Sequence, residues 1–262
     1  EAFFKWWESD LHKTLRQLRV TGGEPLMSAD LWKLVEWFEK NGDKSQTSLA
    51  INSNLVAKPA LIQRLIDVKK HLPSLGVYSS CEAIDGSAEY IRDGMIFSQW
   101  WDNMQLLHEN DIDTHCMMTI NALCLETLPD LVDMIMNKRI EYGNRRFAIM
   151  SFNILRFPSF QSALVLDNKI KQRHVDKLTM LRKRWTSEQG HIDSPDIFHE
   201  FETGQLDRLI EYLQVVDTPH SDSFETPKLH NDFKKFYQQY DIRRNKNFAK
   251  TFPELEEWYE TL

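Results

Sequence analysis

Apolar residues recur along this chain at two alternating periods. Short runs with apolar residues at every second position are followed by longer stretches spaced at three and four residues, the pattern of strands alternating with amphipathic helices. The first strand is predicted over Leu15–Val20, with Leu18 and Val20 as its apolar positions. A two-glycine turn leads into a helix from Ser28, carried by Leu31, Leu34, Val35 and Phe38, and Asn41-Gly42-Asp43 ends it with C-cap chemistry. Further strands are predicted over Ser48–Asn54, Leu75–Glu82, Ile112–Asn121 and Phe147–Leu155. Between them run helices from Pro59, from Phe97 with Trp100, Trp101, Met104 and Leu107 turned to the sheet, and from Leu128. Such alternation implies parallel strands with right-handed crossovers. From about Ile170 only the helical period remains: Val175 to Trp185, Phe198 to Leu213, Phe233 to Tyr240 and Glu254 to Leu262, with Pro219 and Pro227 marking a flexible joint. Ahead of the first strand, Phe3, Phe4, Trp6, Trp7 and Leu11 form a helix-like segment.

Composition narrows the partners. At 262 residues and 42% apolar content the chain can bury a core of domain size. A formal net charge of −7 leaves no basic footprint for nucleic acid, and Arg243-Arg244-Asn245-Lys246 is short enough to be a solvated face. No apolar run approaches the ~20 residues that span a bilayer, so no membrane is expected and the cytoplasm is the default. Three cysteines, odd in number and irregularly spaced, indicate buried free thiols in a reducing compartment. Cys116, Cys124 and His115 lack the short spacing of a metal site, so no metal ligand is assigned in the chain.

Chemistry gathers where strands meet the following loops, which is where sheets of alternating strands and helices bind ligands. In Thr21-Gly22-Gly23-Glu24-Pro25-Leu26 the glycines let main chain approach a bound group, and Glu24 adds a carboxylate with no Lys or Ser/Thr in the pattern of a phosphate loop. That suits an ammonium group; a plain connecting turn with Pro25 starting a helix is the alternative. Asn52-Ser53-Asn54 is either a loop or a ligand contact. Glu82 follows an apolar run, where a carboxylate can accept ribose hydroxyls. Arg92, on the following loop or helix start, can clamp a carboxylate or pair with Glu89 or Asp93. Asn121 is a strand-end amide or a contact to adenine or substrate.

These stretches together resemble radical S-adenosylmethionine (SAM) enzymes. Thr21–Leu26 looks like the motif after their second strand, Ala50–Leu55 like their third strand, and Ser80-Cys81-Glu82-Ala83 with Glu89–Gly94 like their fourth strand and loop. With Tyr240-Asp241-Ile242-Arg243-Arg244, Phe248 and Phe252-Pro253-Glu254-Leu255, the whole resembles twitch domain-containing radical SAM proteins. The resemblance implies an α/β fold: a partial (β/α)6 TIM-like barrel without its first strand, over 1–169, followed by the last barrel helix and a C-terminal helical tail, 170–262. It implies a SAM site formed by Thr21, Gly22, Gly23, Glu24, Pro25, Asn52, Ser53, Asn54, Ser80, Glu82, Arg92 and Asn121, with Glu24 on the amino group, Glu82 on the ribose and Arg92 on the carboxylate. Asn153, Arg156 and Gln161 would meet the substrate, a peptide or small molecule. A [4Fe–4S] cluster would be reduced by a donor such as flavodoxin or ferredoxin, and SAM cleavage would give a 5′-deoxyadenosyl radical that abstracts hydrogen.

One departure is plain: the CxxxCxxC cluster loop of that superfamily does not occur, and Cys81, Cys116 and Cys124 are too far apart to imitate it. The chain is therefore expected to be the C-terminal part of a longer protein whose upstream part carries the first strand and the cluster ligands. A cluster-less, non-catalytic binding protein of the same fold is the rival from another class. A barrel enzyme for phosphorylated metabolites would require a glycine-rich phosphate loop late in the barrel, which the sequence lacks.

Overall fold

The computed structural model describes residues 1–186, 197–215 and 225–262. Its five strands are β1 (Gln17–Val20), β2 (Ser48–Ser53), β3 (Leu75–Ser80), β4 (Asp113–Ile120) and β5 (Ile149–Ile154). They lie in one sheet in chain order, β1-β2-β3-β4-β5, with helices between them; α1 (Ala2–Trp6) and α2 (His12–Thr14) precede the sheet and α8 (Asn168–Thr186) follows it. The pairing is parallel, with Gln17 opposite Ser48 and Leu49 opposite Leu75. This is the α/β, partial TIM-like barrel arrangement, followed among the described residues by helices alone. Each strand is shorter at one or both ends than the apolar pattern suggested; before β5, for example, Ala148 has a φ of +46°, which extended backbone does not take. The chain divides into two compact units. The first comprises Glu1–Ser80, Ser98–Cys116 and Arg146–Ile149; the second comprises Cys81–Phe97, Met117–Arg145 and Met150–Leu262.

In the first unit the helices are amphipathic for the reason the spacing gave. α3 (Ala29–Asn41) buries Leu31, Leu34, Val35 and Phe38, α4 (Pro59–Lys69) buries Ile62, Leu65 and Val68, and α6 (Phe97–Glu109) buries Trp100, Met104 and Leu107. Each such large side chain contributes about 1.5–3 kcal/mol relative to exposure. Strand alternation buries Leu49, Ile51, Leu75 and Val77 on one face, where the indole N–H of Trp100 donates to Ser79 Oγ at 2.8 Å. The other face carries a row of planar groups, Arg19 lying 4.1 Å over the Tyr78 ring and Tyr78 stacked on His115 at 4.0 Å. The N-terminal helical segment docks on α3 through Trp7, whose ring meets Trp37 at 5.2 Å and Phe38 at 5.5 Å.

α3 ends at Asn41 with Gly42 as its C-cap, where the sequence placed its end; the φ of Gly42 is −57°, and the chain runs on into a 3-10 turn, Gly42–Lys44. Glycine is needed there for space, since a Cβ would stand 2.1 Å from the carbonyl oxygen of His71. Pro227 sits in the first turn of α10 (Glu225–Arg244), where a missing N–H costs nothing. The rest of the expected joint, Pro219 included, lies outside the described residues.

The second unit shows how the helical region is attached. β5 is the last strand in the sheet order, and its free N–H groups are a liability at an open edge. α9 (Glu200–Leu213) supplies side-chain acceptors in place of another strand: Met150 N–H donates to Glu202 Oε1 at 2.6 Å and Phe152 N–H to Gln205 Oε1 at 2.7 Å. Residues three apart on a helix thus serve N–H groups two apart on a strand. Glu202 is itself buried and held by Arg139 of α7 (Leu128–Tyr142), Nη1 and Nη2 donating at 2.8 and 2.7 Å. Among the described residues no helix is long and apolar enough to cross a membrane.

Candidate functional site

In the first unit, the Gly-Gly-Glu-Pro turn and the end of β2 form one hydrogen-bonded cluster. Gly22 and Gly23 have φ of +93° and +54°, which turns the chain sharply after β1. Glu24 then acts as a hub. Its Oε1 accepts from Leu26 N–H at 3.1 Å and from Ser53 Oγ at 2.7 Å, while Oε2 accepts from Asn54 N–H at 2.8 Å. Among the described residues it has no cationic partner. An ionised carboxylate offers about four acceptor positions; three are taken, and the half-buried group keeps one. Pro25 is buried, and Thr21 and both glycines are exposed. Asn54 folds its own loop, accepting Val56 N–H at 2.9 Å, whereas the buried Oδ1 of Asn52 has no partner among the described residues. Ser80 is half-buried at the end of β3.

A Cβ at Gly22 or Gly23 would meet nothing within 4 Å, so both positions need glycine for backbone angle and not for room. Gly22→Ala is expected to cost about 1–3 kcal/mol, the price of a strained φ. Gly23→Ala, nearer the left-handed minimum, should cost less, about 1–2 kcal/mol. Urea unfolding of both variants checks the order; a silent Gly22→Ala would show that the turn adapts.

In the second unit, Glu82, Arg92, Asn121 and Gln161 line one cavity of about 330 Å³, together with Thr119, Leu155, Tyr90, Ile91, Phe236, Tyr237 and Tyr240. Glu82 is 2% exposed. Its Oε2 accepts three hydrogen bonds, from Arg92 Nε at 3.0 Å, Arg92 Nη2 at 2.7 Å and Thr119 N–H at 3.4 Å. Burial pushes the Glu82 carboxyl above the usual range, and the Arg92 guanidinium pulls it only part of the way back. Arg92 does not stand at a helix start. It caps the C-terminal end of α5 (Asp85–Ile91), because the helix begins only three residues after Glu82. It pairs with neither Glu89, which caps Phe97 N–H, nor Asp93, which pairs with Arg244 and Lys246.

Asn121 is mostly occupied with its own turn, its Oδ1 accepting from Leu123 and Cys124 N–H at 2.9 and 3.2 Å. Gln161 Nε2 donates to the Tyr237 hydroxyl at 3.4 Å. Asn153 and Arg156 do not line this cavity; both are exposed, with Asn153 turned to Ser151 and the Arg156 guanidinium 6.0 Å from the Tyr212 ring.

No protein-family model matches the chain, and no curated protein sequence matches it. Similar solved structures exist. One is a domain of pyruvate-formate lyase-activating enzyme from Bacteroides vulgatus ATCC 8482, 12% identical, covering 63% of this chain and 93% of that one, with a TM-score of 0.42. Another is native anSMEcpe with bound AdoMet and Kp18Cys peptide, 15% identical over 66% of this chain, with a TM-score of 0.43. The chain spans about half of that second protein, 47% of its length.

The three cysteines are buried, and burial raises the thiols of Cys81 and Cys124 well above the usual range. Among the described residues no group of three His, Cys, Asp or Glu side chains could hold a metal ion, so they do not fit an iron–sulfur cluster. The aromatic part of the cavity was not singled out as a site in the sequence. Its signal was present: Phe236, Tyr237 and Tyr240 share a helical face one turn long, next to the Tyr240-Asp241 signature.

Proposed function

We propose that this chain binds S-adenosylmethionine as part of a radical SAM enzyme. The observation that carries the reading is Glu24: a carboxylate fixed by three hydrogen bonds, beside two left-handed glycines, with an acceptor position left and no cationic partner among the described residues. An ammonium group supplies the missing charge, and a charged hydrogen bond to a prearranged acceptor is roughly twice as strong as a neutral one. Glu82 and Arg92 are assigned from their own surroundings in the second unit. The Oε1 of Glu82 is open to a ribose hydroxyl. Arg92 has Nε and Nη2 engaged by Glu82, which leaves its Nη1 side for the methionine carboxylate.

The activity to which this binding belongs is reductive cleavage of SAM and hydrogen abstraction from a peptide or small-molecule substrate, with an electron donor such as flavodoxin or ferredoxin. The iron–sulfur cluster that such chemistry requires has no ligand set among the described residues. Binding and orientation are the share of this chain.

Glu24→Ala is expected to weaken SAM binding about 10- to 100-fold, the loss of one hydrogen bond to a charged group. Adenosine, which lacks the ammonium, should bind the variant as it binds the wild type. Equilibrium dialysis with both ligands separates the readings. An equal loss for both would mean that Glu24 only shapes the loop, and no loss for SAM would remove the ammonium site.

A further inference from the structure

The cavity around Glu82 is walled on its aromatic side by α10. Phe236 and Tyr240 of α10 lie nearly parallel, their rings 6.0 Å apart at 17°, and Tyr237 beside them is 6% exposed. This wall is fixed in place by a dense set of bonds to the end of α5. Asp241 accepts the Tyr90 hydroxyl at 2.7 Å and Phe248 N–H at 2.8 Å; the Tyr240 hydroxyl donates to the Tyr90 carbonyl at 2.8 Å. Arg244 and Lys246 hold Asp93 at 2.8 and 3.2 Å. A wall so anchored needs little ordering when a ligand arrives.

The polar side of the same cavity is incomplete. Glu82 Oε2 takes three hydrogen bonds while Oε1 takes none from the described residues, although the residue is only 2% exposed. Glu82 lines the cavity, and Oε1 is free there to accept an O–H or N–H that a ligand brings. The volume, about 330 Å³, falls at the small end of the range for small-molecule sites, roughly 300–1,000 Å³. One hydroxyl donor and one flat aromatic group in a compact molecule describe a nucleoside.

We propose that α10 is part of the ligand site, Phe236 and Tyr240 forming the face on which a nucleoside base stacks while Glu82 Oε1 takes a ribose hydroxyl. The choice of a nucleoside rests on the SAM reading above; the aromatic wall does not. Adenosine and SAM are titrated calorimetrically into the 262-residue chain and into Phe236→Ala, Phe236→Tyr and Glu24→Ala. Phe236 is 38% exposed, so its truncation leaves the fold in place. Phe236→Ala should weaken adenosine about tenfold, as expected for a lost base-stacking contact, and Phe236→Tyr, which keeps the ring, should bind like the wild type. Adenosine that binds Phe236→Ala as tightly as the wild type, or does not bind the wild type, overturns the proposal. If SAM ignores Glu24→Ala while adenosine still responds to Phe236→Ala, the ammonium reading falls and the aromatic wall stands.

Discussion

Glu202→Ala is expected to destabilise the second unit by about 3–5 kcal/mol, the largest single-residue effect anticipated in the chain. Arg139 and Glu202 are both fully buried, and the carboxylate accepts four N–H groups: two from Arg139, one from Met150 at 2.6 Å and one from His199 at 3.0 Å. Alanine leaves a guanidinium in the interior without its counter-charge. It also strips an acceptor from the N–H of an edge strand and from the start of α9. Arg139→Met should recover part of the loss when combined with Glu202→Leu, since it removes the stranded charge. It cannot recover all, because Met150 and His199 still lack an acceptor. Urea unfolding of the single and double variants measures both terms. A loss below about 1 kcal/mol for Glu202→Ala would mean that water reaches the pair and that the burial energetics of such ions do not apply.

The strand–helix alternation was legible because each unit obeys a local rule: period two for strands packed on one face, period three to four for helices covering them. Trp100, Met104 and Leu107 were placed correctly by spacing alone, whereas Trp101, expected beside them, is only half-buried. Positions fixed by a distant partner were not legible. Gly42 looks like a cap in the sequence, yet what it avoids is the carbonyl of His71, twenty-nine residues on. The Glu24 cluster was half visible: two polar loop segments stood out, but that one carboxylate bonds both Ser53 and Asn54 depends on the register of β1 against β2. The aromatic wall of the cavity was least visible, since Phe236, Tyr237 and Tyr240 look like any core-facing helical stripe until α5 is brought to them.

Arg92→Met is expected to destabilise the protein by an amount that depends on pH, and the dependence identifies Glu82 as the cause. Burial already holds the Glu82 carboxyl above its ordinary value near 4.5, with Arg92 as the main opposing influence. A carboxyl raised in the folded state favours folding while it is protonated, below its unfolded value, and that contribution is lost as pH rises through the folded value. Methionine removes the attraction and two N–H donors, so the folded value climbs further and the loss continues over a wider span of pH. The gap between the wild type and Arg92→Met should therefore be smallest at acid pH, where protonation of Glu82 removes the charge that Arg92 pairs with. They should diverge as pH rises, the variant falling behind by about 1.5–3 kcal/mol, the worth of hydrogen bonds to a charged group. Denaturation curves at about pH 5 and about pH 8 are sufficient, and adding Glu82→Gln should flatten the difference. A gap of equal size at both values would trace the effect to packing of the Arg92 stem instead. The same linkage bears on binding: a hydroxyl donated to Glu82 Oε1 stabilises the ionised form, so adenosine affinity should rise with pH in the wild type and lose that slope in Glu82→Gln.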